Sequence, residues 1–224
     1  MHQEAAPITR ARLTGRKTAG LVALALGASF TPALRAQSLD DLRHQFEAPA
    51  KAKDWPAAEA VARQMVAQSQ SNAADWRQLA RALTAQGKTA EAFEARQELL
   101  KRPGATGNDH NNVCWSLLER NQPLQARPSC QTAAALDPTH MNALVNVGHS
   151  YLLASEPAQA NDWYRRALNY LQNEQDLREG PLYDLDLFIR NGWAVADARA
   201  ARQWFEQAWS ALPASRRPHG MAKE

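Results

Sequence analysis

The chain has 224 residues, 45% hydrophobic, 22% charged and 7% aromatic, with a formal net charge of +3 at pH 7. This composition suits one or two ordinary soluble domains and excludes wholesale disorder. A single apolar run, at the N-terminus, excludes a polytopic membrane protein, and 10 glycines with 12 prolines are few for an all-β chain full of tight turns.

Residues 1–36 read as a cleavable export signal, which places the remaining chain in the periplasm or outside the cell. A basic stretch (Arg10, Arg12, Arg16, Lys17) precedes an apolar run from Ala19 to Phe30. Pro32 then breaks the helix, and Ala36 offers a small residue for cleavage before Gln37. An uncleaved anchor is the alternative, although 12 apolar residues are short for a bilayer core of ~30 Å. The segment carries five of the 26 Lys/Arg and one of the 23 Asp/Glu, so cleavage leaves 21 bases and 22 acids, a net of −1. A near-neutral chain has no global drive toward polyanions, so nucleic acid is not an expected partner despite Arg165, Arg166, Arg216 and Arg217. No membrane span is expected after cleavage.

From residue 39 to 213 the sequence repeats with a period of 34. The first unit, from Leu39, is degenerate, with Phe46 in a small-residue slot and Pro49 interrupting its first helix. The second starts at Ala73, with Trp76, Leu79, Ala80 and Leu83 on one helix face and a turn at Gly87. The third starts at Gly107 and the fourth at Met141. A seven-residue insertion (175–181) precedes a fifth unit at Leu182. Within each unit apolar residues recur at i, i+3, i+4 and i+7, which predicts a pair of amphipathic helices. Small residues at Ala80, Cys114 and Gly148 let paired helices approach, and Cys130, Tyr164 and Phe205 fill the facing space. Pro128, a turn into the second helix of the third unit, predicts a kink. Trp163, Trp193, Trp204 and Trp209 sit where helix packing explains them.

These residues resemble the tetratricopeptide repeat (TPR) family, whose pattern is W-x2-L-G-x2-Y, then A-x3-F, then P. The match covers residues 39–213 and is most specific in the units from Ala73, Gly107 and Met141. The resemblance implies an all-α fold, a right-handed superhelical solenoid of about five antiparallel helix pairs, with a concave groove lined by the first helix of each pair. Residues 214–224 have no apolar periodicity and read as a flexible basic tail. In the repeat frame Cys114 and Cys130 face each other, which in an exported protein suits a disulfide. Two buried free thiols are the alternative.

Gln78, Asn112 and Asn146 recur at one groove slot. Such a row of carboxamides suits the backbone of an extended peptide, and the family resemblance points the same way. Equally, the amides could bond the neighbouring repeat. Arg77 and Arg81, one turn apart, suit an acidic side chain or a peptide C-terminal carboxylate, or else pair with acids on adjacent helices. Some family members clamp such a carboxylate. Here Arg77 and Asn112 match that clamp, and Arg81, Asn142 and Asn146 depart from it. Trp115 and His149 occupy equivalent slots in successive units, as groove anchors or packed beneath the insertion.

The scattered histidines have no metal-ligand spacing, and no nucleotide-binding or nucleophile motif occurs. Asp184 and Asp186, at i and i+2, point to different helix faces and read as solvated surface. The sequence therefore predicts a non-enzymatic interaction module or scaffold of the cell envelope, holding a peptide or protein partner in its groove without metal or cofactor. The alternative is a structural solenoid that self-associates with no groove ligand. Nothing in the sequence sets the oligomeric state.

Overall fold

A computed structural model describes residues 37–213. The export segment (1–36) and the basic tail (214–224), including Arg216 and Arg217, lie outside the described residues. In chain order the helices are α1 (Leu39–Lys51), α2 (Trp55–Ala67), α3 (Ala73–Ala85), α4 (Thr89–Leu100), α5 (Gly107–Leu118), α6 (Pro123–Leu136), α7 (Met141–Leu152) and α8 (Pro157–Leu168). A single turn, α9 (Glu174–Leu177), leads through a kinked turn (Arg178–Leu182) into α10 (Tyr183–Arg190) and α11 (Val195–Ala211). Each helix from α1 to α8 packs on the next, and α11 closes the stack against α8 and α10. Among the described residues there is no strand, and no helix is long and apolar enough to cross a membrane.

The 34-residue period is written into the helix ends. Ser38, Asn72, Thr106 and His140, each 34 apart, cap α1, α3, α5 and α7. In the first three the cap side chain accepts from the N3 amide, and the N3 carboxylate (Asp41, Asp75, Asp109) accepts from the cap amide. Two otherwise orphaned donors are satisfied this way at each helix start. At His140 only half of this survives, with Nδ1 accepting from Ala143 N at 3.0 Å. The turns inside the pairs have the same spacing. Lys53, Gly87, Asn121 and Ser155 all take positive φ, between 52° and 72°.

One proline behaves differently from the sequence reading. α1 runs through Pro49 to Lys51, because a proline in the last turn forfeits one hydrogen bond where the helix is ending anyway. α6 also continues through Pro128. The carbonyl it deprives belongs to Leu124, which is 68% exposed, so water can replace the missing donor.

Packing follows the alternation of small and large slots. The Cys114 and Cys130 sulfurs are bonded, joining α5 to α6, and both residues are fully buried. Closing a loop of this size is worth ~3 kcal/mol on the chain-entropy model. In the next unit Gly148 makes room for Tyr164. A Cβ on Gly148 would lie 2.3 Å from Tyr164 Cε1. The Tyr164 ring then meets Phe205 at 5.0 Å between centroids, which ties α8 to α11. The insertion forms α9 and the kinked turn. The helix breaks at Gly180 because a residue before proline is pushed out of the α region, and Pro181 follows.

Candidate functional site

The first helices line one side of the stack, and a ladder of polar contacts links each to its successor. Arg43 donates Nε and one terminal nitrogen to the two carboxylate oxygens of Asp75, at 2.8 and 2.9 Å. One repeat later Arg77 does the same to Asp109, at 2.8 and 2.6 Å. The acceptor is in each case the N3 carboxylate of the next capping box. The bidentate fork therefore also fixes the following helix start. Burial pushes the Asp109 carboxyl up, but Arg77 and Thr106 outweigh it and hold it below its ordinary value. The third rung is an amide pair, with Asn146 Nδ2 donating to Asn111 Oδ1 at 2.9 Å.

This ladder corrects two of the sequence-derived groove residues. Arg77 is not a free groove cation, because its guanidinium is committed to Asp109. Asn146 is 5% exposed and spends its amide on Asn111. The expected row of free carboxamides is thus broken. Gln78 is half-buried and lines none of the depressions described below, whereas Asn112 is exposed and lines all three.

His149 is the third correction. It is fully buried, with Nδ1 2.8 Å from the Tyr164 hydroxyl oxygen and Nε2 3.4 Å from Asp184 Oδ2. Its ring meets Phe188 of α10 edge-on at 4.9 Å. Trp115 is half-buried, 6.4 Å from the same Phe188. Burial, with the Asp184 charge, pushes the Tyr164 hydroxyl well above the usual phenol range and keeps it neutral. Asp184 and Asp186 are not simply solvated. Asp184 faces His149, and Asp186 accepts from Arg202 Nε at 2.8 Å. The insertion returns over the same region. Glu179 and Gly180 share a depression with Asn111, Asn112, Asn142 and Asn146, and Asn142 remains exposed at its edge.

Between α3 and α5 the surface is open. α5 lies against α7, but α3 makes no comparable contact with α5, and α4 forms the floor of the gap. Two adjoining depressions occupy it. One, of ≈ 410 Å³, has an apolar lining that includes Trp55, Ala80, Ala85 and Leu99. The other, of ≈ 490 Å³, has a mixed polar and apolar lining that includes Thr89, Trp115, Ser116, Glu119 and Arg120. Thr84, Arg96 and Asn112 line both. Arg81 is exposed and stacks over Trp55 at 5.2 Å, and Arg120 stacks over Phe93 at 4.3 Å. The structure thus keeps Arg81, Asn112 and Trp115 at an accessible surface and adds Arg96 and Arg120, which the sequence reading passed over. A signal for Arg96 was present. It holds the interior slot that Cys130 and Tyr164 fill in the next two units, so a cation stands where the repeat expects a buried side chain. Among the described residues no group of His, Cys, Asp or Glu is placed to hold a metal.

No family model matches the chain, and no curated protein matches it by sequence. Solved structures are similar in fold. MamA from Desulfovibrio magneticus RS-1 (its residues from 41 onward) is 13% identical with a TM-score of 0.56, over 77% of this chain and 97% of that one. A further MamA structure is 12% identical with a TM-score of 0.57, over 78% and 96%. YrrB, described as a TPR protein with an unusual peptide-binding site, is 11% identical with a TM-score of 0.56, over 78% and 99%. At these identities the likeness is one of fold, and the chain is an all-α solenoid of the tetratricopeptide type.

Proposed function

We propose that this protein is a non-enzymatic interaction module of the cell envelope that holds a segment of a partner protein in the gap between α3 and α5. The observation that carries the reading is the gap itself. The exposed Asn112 side chain makes no hydrogen bond with any described residue, and it sits among Arg81, Arg120 and the half-buried Trp115. Arginine and tryptophan are the residues over-represented where binding energy concentrates. Placement in the envelope draws support from the N-terminal sequence and from the Cys114–Cys130 bond, since disulfides persist in oxidising compartments.

Site-specific photo-crosslinking in living cells tests the proposal. A benzophenone amino acid at Asn112 reports the gap, and one at the exposed Ala135 on α6 reports the outer surface. The expected result is a partner protein crosslinked through position 112 and absent from position 135. A partner captured only through position 135 would move the interaction to the outer face. A product at twice the chain mass from both positions would favour the self-associating solenoid.

A further inference from the structure

We infer that the segment held in this gap is recognised by an acidic side chain placed over Arg96, next to an apolar side chain that enters the Trp55–Leu99 depression. The inference rests on the groove reading above and specifies its chemistry.

Arg96 is the central observation. It projects from α4 at the slot occupied by Cys130 in the third unit and Tyr164 in the fourth, both fully buried. Its guanidinium donates to Thr84 Oγ1 on α3 at 2.8 Å and reaches Ser116 Oγ on α5 at 3.5 Å. Both are neutral hydroxyls. Among the described residues no carboxylate lies within ion-pair distance of Arg96, Arg81 or Arg120, whereas Arg43, Arg63, Arg77, Arg127 and Arg202 all have one. Burial lowers the Arg96 guanidinium pKa. The nearby Glu119 opposes this and Arg120 adds to it. A half-buried cation without a contacting carboxylate is costly, and an incoming one relieves that cost.

The surroundings set the sign and the neighbour. The two depressions are lined by Arg77, Arg81, Arg96 and Arg120 against Asp109 and Glu119, and Arg77 already neutralises Asp109. The excess is cationic and concentrated in a concave, partly apolar site, where electrostatic attraction is stronger than on an open surface. Arg96 is also the wall between a depression of mixed lining and an apolar one. An extended peptide turns alternate side chains to the same face, about 6.6 Å apart along its axis. A carboxylate at the wall therefore sets an apolar side chain two positions away over the Trp55–Leu99 side. Asn112 is positioned to bond the intervening peptide group, because its amide both donates and accepts.

The test is selection from a displayed random heptapeptide library against the full chain, followed by binding of the best sequence made with both ends blocked. The expected result is enrichment of Asp or Glu two positions from Leu, Ile, Met or Phe. Replacing that acid by its amide should weaken binding at least tenfold, and Arg96→Gln should cause a similar loss while removing discrimination between the two peptides. Arg120→Gln serves as a second variant should Arg96→Gln melt early. Its expected loss is smaller, about threefold. Enriched peptides without an acid, or Glu/Gln discrimination that persists in both variants, would overturn acid recognition while leaving the groove reading intact. Selected peptides that bind Asn112→Ala and both arginine variants like wild type would place binding elsewhere and overturn both. Competition by millimolar inorganic phosphate, without a peptide acid preference, would identify a generic anion site and overturn the inference.

Discussion

On its N-terminal side α5 faces α3 across a gap floored by α4, and on its C-terminal side it lies directly against α7. The repeat frame is the same on both sides, so the difference comes from the occupants of equivalent slots. On the C-terminal side the interior slot holds Tyr164, wedged against Gly148, and His149 with Phe188 completes an aromatic cluster beneath α10. On the N-terminal side the same slot holds Arg96, whose guanidinium bonds Thr84 of α3 and reaches Ser116 of α5. There the apolar core of α1 to α4 is supplemented by charge, through Arg43–Asp75, Arg77–Asp109 and the cluster around Glu59. One side is closed except for the small depression beneath Glu179 and Gly180, and the other is open. The arrangement teaches that one repeat frame accommodates both an open and a closed spacing of its first helices without a change of fold.

The strongest way to break this comparison is at Gly148. Helix propensity alone favours alanine over glycine by ~1 kcal/mol. A Cβ there would meet Tyr164 Cε1 at 2.3 Å and Cδ1 at 2.6 Å, and Tyr164 is fully buried against Phe205. Gly148→Ala should therefore destabilise by about 3 kcal/mol, at the upper end of overpacking costs. The equivalent change on the open side, Ala80→Gly, should cost only about 1 kcal/mol. Thermal melts of both variants decide the matter. An unchanged or raised melting temperature for Gly148→Ala would mean that the closed side is not tightly packed.

A smaller effect separates the two sides by pH. Glu59 bonds Lys88 at 2.6 Å, Gln86 at 2.7 Å and Arg63 at 2.8 Å. Lys88 above all, against the upward push of burial and with help from Arg63 and Gln86, lowers its carboxyl from the ordinary 4.5 to about 2. A folded-state value below the unfolded one gives stability that is complete above pH 4.5 and is lost as pH falls toward 2. Asp109, also held low, has the same sign. Hydrogen exchange, corrected for intrinsic rates, should show α2–α4 losing protection between pH 5 and 2 before α7 and α8 do. Glu59→Gln should cost about 2 kcal/mol at pH 7 and flatten the acid loss. Equal acid sensitivity on both sides would remove the electrostatic half of the comparison.

Much of this architecture is legible in the sequence, because a 34-residue period carries its own punctuation. The unit starts, the small slots at Ala80, Cys114 and Gly148, and the opposed cysteines all follow from counting. The candidate site was legible only in part. Arg81, Asn112 and Trp115 remain accessible, but Arg77, Asn146 and His149 are spent on the scaffold. Periodicity reports which face of a helix a residue occupies and is silent on depth. Depth at His149 is decided by Phe188 and Asp184, which arrive from α10 after an insertion that breaks the period. The Arg77–Asp109 fork spans 32 residues and joins two side chains that look independently solvated when read along a single unit. Arg96 is the converse: conspicuous in the frame, it lies on α4, a second helix, whereas the groove pattern is carried by first helices.

The smallest effect asks whether the two sides unfold together. Lys53 and Ser155 occupy the same left-handed turn position, at φ 58° and 63°, one in the first pair and one in the fourth. A non-glycine residue there sacrifices roughly 1 kcal/mol to sterics between its Cβ and the backbone. Gly87, at φ 72° in the second pair, avoids that strain, and no atom lies within 4 Å of where its Cβ would be. Lys53→Gly and Ser155→Gly should each stabilise by up to ~1 kcal/mol, less the extra freedom glycine gives the unfolded chain. The gain is local to the turn and independent of how the neighbouring gap is filled. If the stack unfolds as one unit, both variants raise a single melting temperature by the same amount. In repeat arrays whose nearest-neighbour coupling is weak, each part melts on its own. Lys53→Gly would then move only an early transition and Ser155→Gly only a late one. That outcome would show that the gap between α3 and α5 divides the solenoid thermodynamically as well as geometrically.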